Sequence, residues 1–412
     1  MSSVIVQVGQ CGNQIGQQLW KHIQKDKKAT DSHVYVNHDG KLRSVNVDSE
    51  PKVVKKLLRD AKKSNFREQN IILGKRGRGT NWSLGYHGLP GEDKLFNDAL
   101  EAIRKEAERC DCFSGTIMIH SLSGGTGSGL GAHLCEAIRD EYPLQYMLSC
   151  LVAPHSSGES PLQHFNSLLC LSWVQRYSDG IILLSNDEIL HRLQHRQKDK
   201  VDQEPVSFSQ MNHHISSCLA GVLLPVDSLT PSSGVSLGME PWELIRSACP
   251  MPALKILHLT QGIKSKSSWD NVASSSVYYL KRHDAQGKMY SSLANVVIAR
   301  GDTHGTFPDY MKQIEDKVKS TYNCVSWNPY PVDFWTGKFN PAGGKDASSV
   351  TMAANYTNFL SPVEYMMSQS KLMYDAGAYL HWYWKYGCTR DDFDQAFESV
   401  SDIVTNYKEA VR

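Results

Sequence analysis

The sequence predicts an α/β fold: a doubly wound layer of parallel strands, followed by further elements and a helical C-terminal segment. Two observations lead there. Short apolar runs rich in β-branched residues alternate with segments whose apolar residues recur at helical spacing. Each run also stops at a glycine or a polar turn, at the strand edge where parallel sheets bind ligands.

Val4, Ile5, Val6 and Val8 form the first strand run, which stops at Gly9, with Gly12 after it. Ile15, Leu19 and Ile23 then give one apolar face to a helix over 13–24. Ser44 to Asp48 reads as the second strand, with Glu50 and Pro51 next; proline suits the first position of a helix. The face of that helix would carry Val53, Val54, Leu57, Leu58 and Ala61. Ile117, Met118 and Ile119 make the third strand, which runs into SLSGGTGSG at 121–129. Leu130, Leu134, Ala137 and Ile138 stripe the helix that follows. Ile181 to Leu184 is the fourth strand and ends at Ser185 and Asn186. Turns are therefore expected at 9–14, 48–50, 123–129 and 185–188.

A helix near 208–224 leads into a loop at 227–238, and 336–350 reads as another loop. From about 361 the chain reads as helical. Phe393, Phe397, Val400, Val404 and Tyr407 recur at helical spacing, and Thr389 with Asp392 forms a capping-box pattern. Two heptads are too few for a coiled coil, so this stripe is expected to pack on the body.

Composition narrows the function. A chain of 412 residues is long enough for two or three domains. Lys+Arg of 44 against Asp+Glu of 43 leaves a net charge of +1, which asks for neither nucleic acid nor an anionic membrane as partner. No run of ~18 apolar residues is present, so no membrane span is expected. The opening MSSVIVQVG has no basic n-region, so no secretory signal is expected. Of ten cysteines only Cys110 and Cys112 lie close together, and no second pair completes a zinc set. Reduced thiols in a cytoplasmic protein are the expectation.

The glycine-rich segment carries the chemistry. No Gly-Lys pair is followed by Ser or Thr, which excludes a Walker-type P-loop. Gly127, Gly129 and Ala132 fit the dinucleotide pattern G-x-G-x-x-A, so an NAD-type oxidoreductase has to be considered. The acid that pattern needs at the end of a second strand is misplaced: Asp140 and Glu141 end the same helix, and Glu159 is the next carboxylate. A phosphate cradle remains. Gly124, Gly125, Gly127 and Gly129 let backbone N–H groups close on an anion at a helix N-terminus, with Thr126 and Ser128 as hydroxyl donors.

Several segments together resemble the tubulin family. GGTGSG at 124–129 resembles its signature, GQCGNQIG at 9–16 its first nucleotide loop, VDSEP at 47–51 the second and GRGTNW at 77–82 the third. AYLHWYWKYGCTRDDF at 378–393 is similar to its C-terminal helix pair. ERCDCFSG at 108–115 and WELIRSACPMP at 242–252 are most similar to the delta branch or the related zeta branch. The resemblance implies a GTP-binding domain over 1–205, a central helix and α+β intermediate domain over 206–360, and a C-terminal helical segment over 361–412.

It also implies GTP/GDP and Mg²⁺ as ligands. Gln10 and Cys11 would line the phosphates, Gly125, Thr126 and Gly127 would hold the β- and γ-phosphates, and Ser121 would touch the nucleotide. Gly79 and Thr80 belong to the third loop, which senses the γ-phosphate in the family. Asp48 and Glu50 would hold Mg²⁺, and Asn186, Asn212 and Gln14 would read the base. Phe208, where the family has Tyr, would stack on it without a hydroxyl contact. Glu243, seven residues before the first proline of Pro-Met-Pro at 250–252, would activate water on a neighbouring subunit's nucleotide, giving a weak GTPase that depends on subunit contact.

Four departures from the family pattern stand out. Ser123 replaces the first glycine of the signature, so a less permissive entry to the segment is expected. Gln163 replaces a ribose-contacting Glu. Arg78 replaces a common Ala, either to add charge beside the phosphates or the next subunit, or as a solvated arginine in the run KRGR at 75–78. The chain closes on NYKEAVR, so partners that grip an acidic tail are expected to find no such handle. The function implied is a noncanonical tubulin of the cytoplasm and cytoskeleton, at centrioles, basal bodies or cilia. Its partners would be other tubulins and centriolar or basal-body proteins, with longitudinal self- or hetero-assembly. The alternative is a non-polymerising, GTP-regulated binding protein. The segment 260–290 shows no family pattern that would imply lateral assembly.

Overall fold

The computed structural model describes residues 2–51, 54–55, 65–89, 91, 94–158, 160–197, 205–226, 228–230, 241–302, 304–343 and 347–412. Eleven strands run through them in chain order: β1 (Ser2–Val8), β2 (Ser44–Asp48), β3 (Ile71–Leu73), β4 (Phe113–Ser121), β5 (Tyr146–Ala153), β6 (Gly180–Ser185), β7 (Ser228–Thr230), β8 (Ile256–Ser265), β9 (Ser292–Arg300), β10 (Val332–Gly337) and β11 (Ala347–Tyr356). The helices are α1 (Gly9–Ile23), α2 (Lys27–Asp31), α3 (Trp82–His87), α4 (Lys94–Glu108), α5 (Gly131–Glu141), α6 (Gln163–Tyr177), α7 (Asn186–Gln197), α8 (Phe208–Leu223), α9 (Glu243–Ala248), α10 (Trp269–Val277), α11 (Met311–Thr321), α12 (Leu360–Asp375), α13 (Leu380–Lys385) and α14 (Arg390–Ala410).

The strands follow the order β3-β2-β1-β4-β5-β6-β8-β11-β9-β10-β7. The first six are parallel throughout, in the doubly wound order whose direction of winding reverses between β1 and β4. Val4, Val6 and Val8 of β1 are buried in one core with α4, α5, α6 and the C-terminal helices, while Ile5 is buried in the other with α1 and α8. Alternate residues of a strand point to opposite faces, so a strand apolar on both parities must be covered on both sides. A mixed second half joins β6 through the Ile181–Ile256 and Ile182–Leu257 pairs, and packs its own core around Trp269, Phe307, Tyr322 and Phe334. The Tyr407 hydroxyl, on α14, accepts from the Ile256 N–H at 2.9 Å and donates to Asn355 at 2.8 Å, pinning the last helix to that junction.

The structure corrects several expected boundaries. The segment 9–14 is helical: α1 starts at Gly9 directly from β1, because Gly9 at φ +73° makes the whole reversal. Likewise α7 starts at Asn186 directly after Ser185 of β6, so no residue separates strand from helix there. The loop expected at 336–350 is shortened from both ends by β10 and β11, and Ser228–Thr230 of the loop expected at 227–238 forms β7. Of the helix face expected after Pro51, Val54 is helical and buried, while Val53, Leu57, Leu58 and Ala61 lie outside the described residues. The capping box at Thr389 and Asp392 is present, and Phe393, Val400, Val404 and Tyr407 are buried against the body.

Candidate functional site

Parallel strands bring their carboxyl ends to one edge, and the segments after β1, β2, β3 and β4 meet there around the β1/β4 switch. The glycine-rich segment is the centre. None of Gly124, Gly125, Gly127 or Gly129 takes a positive φ, so they serve close approach rather than unusual backbone. A Cβ on Gly125 would lie 2.5 Å from the Arg78 carbonyl oxygen, and one on Gly127 would lie 2.7 Å from Ser121 Oγ. One on Gly129 would overlap the Trp82 carbonyl. Thr126–Leu130 forms a widened π-type turn that opens α5, and Ser128 Oγ caps back onto the Gly124 carbonyl. The first N–H groups of a helix lack intrahelical partners and carry partial positive charge, which suits this turn to an anion. Ser123 is outside the left-handed region, and its carbonyl accepts from Asn166 at 2.8 Å, so the serine adds no backbone strain at the entry.

The end of β2 lies against this segment. Ser49 Oγ is 2.5 Å from Thr126 Oγ1, which places Asp48 and Glu50 on either side of the contact. Asp48 is buried, its Oδ1 accepts the Glu50 N–H at 3.3 Å, and its Oδ2 has no hydrogen-bond partner among the described residues. Burial pushes the Asp48 carboxyl up to about 6. A buried carboxylate oxygen without a donor fits a cation, and magnesium takes one or two carboxylates while keeping its waters. Glu50 is exposed and reaches Gly77, where a Cβ would overlap its Oε1, so the third loop lies beside the acidic corner.

That loop is held in an unusual shape. Gly79 at φ +55° and Thr80 at φ +52° are successive left-handed residues, a costly conformation for a β-branched side chain. Arg78 is buried, which removes the reading of it as a solvated surface arginine. Its carbonyl accepts the Asn81 N–H at 3.1 Å and faces Gly125.

On the other flank, Asn212 donates to Gln14 Oε1 at 3.1 Å, so two of the three amides expected to read a base are adjacent. Phe208, the first residue of α8, is 59% exposed and lies 6.3 Å, ring to ring, from His155. His155 Nδ1 is 2.7 Å from Asp187 Oδ1, which links Phe208 to the start of α7 next to Asn186. Gln163 is buried and its amide donates to the His155 carbonyl at 3.4 Å.

Gln10 is exposed on the first turn of α1. Burial pushes the Cys11 thiol up to about 12, so it stays neutral and puts no negative charge against a phosphate. Beneath the segment, His120 is buried and held down to about 4 by burial, as is His22, with His213 adding repulsion there. The unfolded chain protonates such imidazoles near their ordinary pKa of ~6.5, well before the folded chain does. Their contribution to stability is therefore complete above ~6.5 and is lost as pH falls toward 4. The thermal midpoint is expected to drop across that window, and a His22→Gln, His120→Gln double variant to show a shallower drop by calorimetry.

Glu243 does not join the other candidates. It sits on α9, which packs on β9 and β11, and its side chain is 14% exposed with Arg246 Nη1 3.5 Å away. Three contributors were not legible in the sequence. Ser49 was hidden in the VDSEP run, where only the acids carry an obvious chemistry. Asn13, buried in α1, donates to the Gly9 and Val47 carbonyls at 2.9 and 3.0 Å and so locks the first loop to β2. Asn166 is an interior residue of α6, and nothing in its local sequence marks it.

Comparison with known proteins agrees with this geometry. Residues 2–194 match the family model for the GTPase domain of the Tubulin/FtsZ family. The chain is 28% identical to the tubulin delta chain of Homo sapiens and 29% identical to that of Canis lupus familiaris, each alignment covering 99% of both chains. It is 27% identical to the tubulin beta-2 chain of Emericella nidulans, over 98% of this chain and 94% of the other. Residues 2–194 thus match the GTPase domain of the Tubulin/FtsZ family, and over its whole length the chain is delta-tubulin-like.

Proposed function

We propose that the protein binds GTP and GDP with Mg²⁺ at this edge and acts as a cytoskeletal component of centrioles, basal bodies or cilia, assembling lengthwise with itself or with other tubulins. The observation that carries the nucleotide part is the meeting of the loops after β1, β2, β3 and β4 around Gly125–Gly127, with Asp48 Oδ2, which has no hydrogen-bond donor among the described residues, beside them. Gln10, Cys11, Gly79, Thr80 and the Gly125–Gly127 backbone would surround the phosphates, and Ser121 would close the floor. Asp48 and Glu50 would hold the metal, whose charge offsets that of the phosphates. Asn212, Gln14 and Asn186 offer both donors and acceptors to a guanine edge, and the exposed Phe208 ring offers it a stacking face. The delta-tubulin relatives support the cytoskeletal part of the reading.

Hydrolysis is proposed to come from Glu243 across a lengthwise contact, because the chain's own Glu243 lies on a different element from the phosphate loops. One observation favours the second reading, a non-polymerising GTP-regulated binder acting with centriolar partners: the Glu243 side chain is largely covered and engaged by Arg246. Sedimentation with GTP, alone and with α/β-tubulin, separates the two. The assembly reading expects nucleotide-dependent pelleting and a GTPase rate that rises with pelleted fraction. Glu243→Gln should then leave GTP affinity unchanged and remove the assembly-stimulated rate. A chain that binds GTP and forms no larger species under any nucleotide is the binder.

A further inference from the structure

Asn166 is fully buried in α6 and its side chain makes four hydrogen bonds. Its Nδ2 donates to the Thr80 carbonyl and to the Ser123 carbonyl, both at 2.8 Å. Its Oδ1 accepts from the Trp82 N–H at 2.9 Å and from the Tyr383 hydroxyl at 2.7 Å. The partners settle which end of the amide is which, since carbonyls only accept and a backbone N–H only donates. One side chain thus ties together the left-handed residue of the third loop, the start of α3, the entry of the glycine-rich segment and a C-terminal helix. Tyr383 is itself fixed: fully buried, edge-on to Phe165 and Phe393, with its carbonyl accepting from Ser83 Oγ at 2.9 Å. The Cys388 N–H donates to the same Ser83 hydroxyl at 3.2 Å, so α3 is fastened to the C-terminal helices twice.

We propose that Asn166, oriented by the Tyr383 hydroxyl, is the positioning residue of the 79–82 loop, and that the preference of the site for a nucleoside triphosphate over a diphosphate is set through it from the C-terminal helices. The inference rests on the nucleotide site proposed above. The loop lies between the glycine-rich segment and the acidic corner, through the Arg78 carbonyl at Gly125 and Gly77 at Glu50. Asp48 and Glu50 would hold the metal at that corner, whose charge would offset that of a triphosphate, and the loop beside it would face the terminal phosphate. Thr80 keeps its left-handed backbone only while its surroundings impose it, and the Asn166 amide holds its carbonyl. Asn166 acts on the ligand through the loop, so the triphosphate should feel its loss and the diphosphate should not.

The test compares GTP and GDP affinities, with Mg²⁺, in the full chain. Tyr383→Phe removes one hydroxyl and leaves Asn166 Oδ1 bonded to Trp82, so the fold is retained. It is expected to lower the GTP/GDP affinity ratio about fivefold, the effect of one net hydrogen bond, with GDP affinity held within about twofold. Asn166→Asp, which loses both N–H donations, should lower the ratio further. Trp382→Phe, on the exposed side of the same helix, should leave it unchanged. An unchanged ratio in Tyr383→Phe, or equal weakening of GTP and GDP, overturns the proposal. A wild-type chain that binds neither nucleotide overturns the site itself, and the inference with it.

Discussion

Gly125→Ala is expected to remove nucleotide binding while the chain still folds. The added methyl would lie 2.5 Å from the Arg78 carbonyl oxygen and 2.9 Å from the Asn81 nitrogen. Both are backbone atoms, so no side-chain rotation relieves the contact. Either the third loop moves outward or the widened turn at Thr126–Leu130 moves back, and each opens the cradle. Overpacking of this kind costs about 1–3 kcal/mol of stability, which a domain of this size tolerates. Site geometry is less forgiving, since a misplacement of ~1 Å in a positioned site costs on the order of 10²-fold. GTP affinity by titration calorimetry should fall by at least that order, while circular dichroism stays that of the parent. Affinity within about threefold of wild type would show that the glycine serves packing alone.

Asp48→Asn is expected to move metal-free stability and ligand binding in opposite directions. A buried carboxylate with no donor to Oδ2 among the described residues destabilises the fold at neutral pH, and burial has already raised its pKa to about 6. Sign follows from that direction. Folded Asp48 holds its proton more tightly than the unfolded chain does, so its unfavourable contribution grows as pH rises from ~4 through about 6 and is full at pH 7. The neutral amide removes it, and the thermal midpoint of the nucleotide-free variant at pH 7.5 should rise, by the equivalent of about 1–3 kcal/mol. The same change removes a hard anionic oxygen from the metal corner, so the increase in GTP affinity that Mg²⁺ brings should largely disappear. A variant that is no more stable without ligand, or that keeps the full magnesium effect, contradicts the assignment of this buried oxygen to a cation.

Both predictions rest on contacts of unequal legibility. The strands β1, β2, β4 and β6 and the C-terminal stripe could be read from the chain, because buried parallel strands and amphipathic helices leave strong periodic patterns. Strands β8 to β11 left no such mark. They sit in a mixed sheet covered on both sides, where alternation is lost and a strand resembles any short apolar run. The two turns that proved helical, at 9–14 and after Ser185, were misread for a different reason. A single residue can reverse the chain when the next helix packs directly on the strand it leaves, and that depends on the packing partner.

The candidate ligands in the loops, Asp48 and Glu50, Gly125 to Gly127, Asn186 and Asn212, were visible because each is a residue type whose chemistry needs no partner to be recognised. What holds them is different in kind. Asn166 reaches Thr80, Trp82, Ser123 and Tyr383, residues up to 217 positions away, and acts only through hydrogen bonds that a buried amide must complete. The burial of Arg78, the lack of a donor to Asp48 Oδ2 among the described residues and the covering of Glu243 are likewise properties of surroundings. Local order in the chain determined which groups are present and on which strand ends they stand. Long-range packing decided their charge, their orientation and their neighbours, because desolvation and hydrogen-bond geometry exist only once distant segments have met.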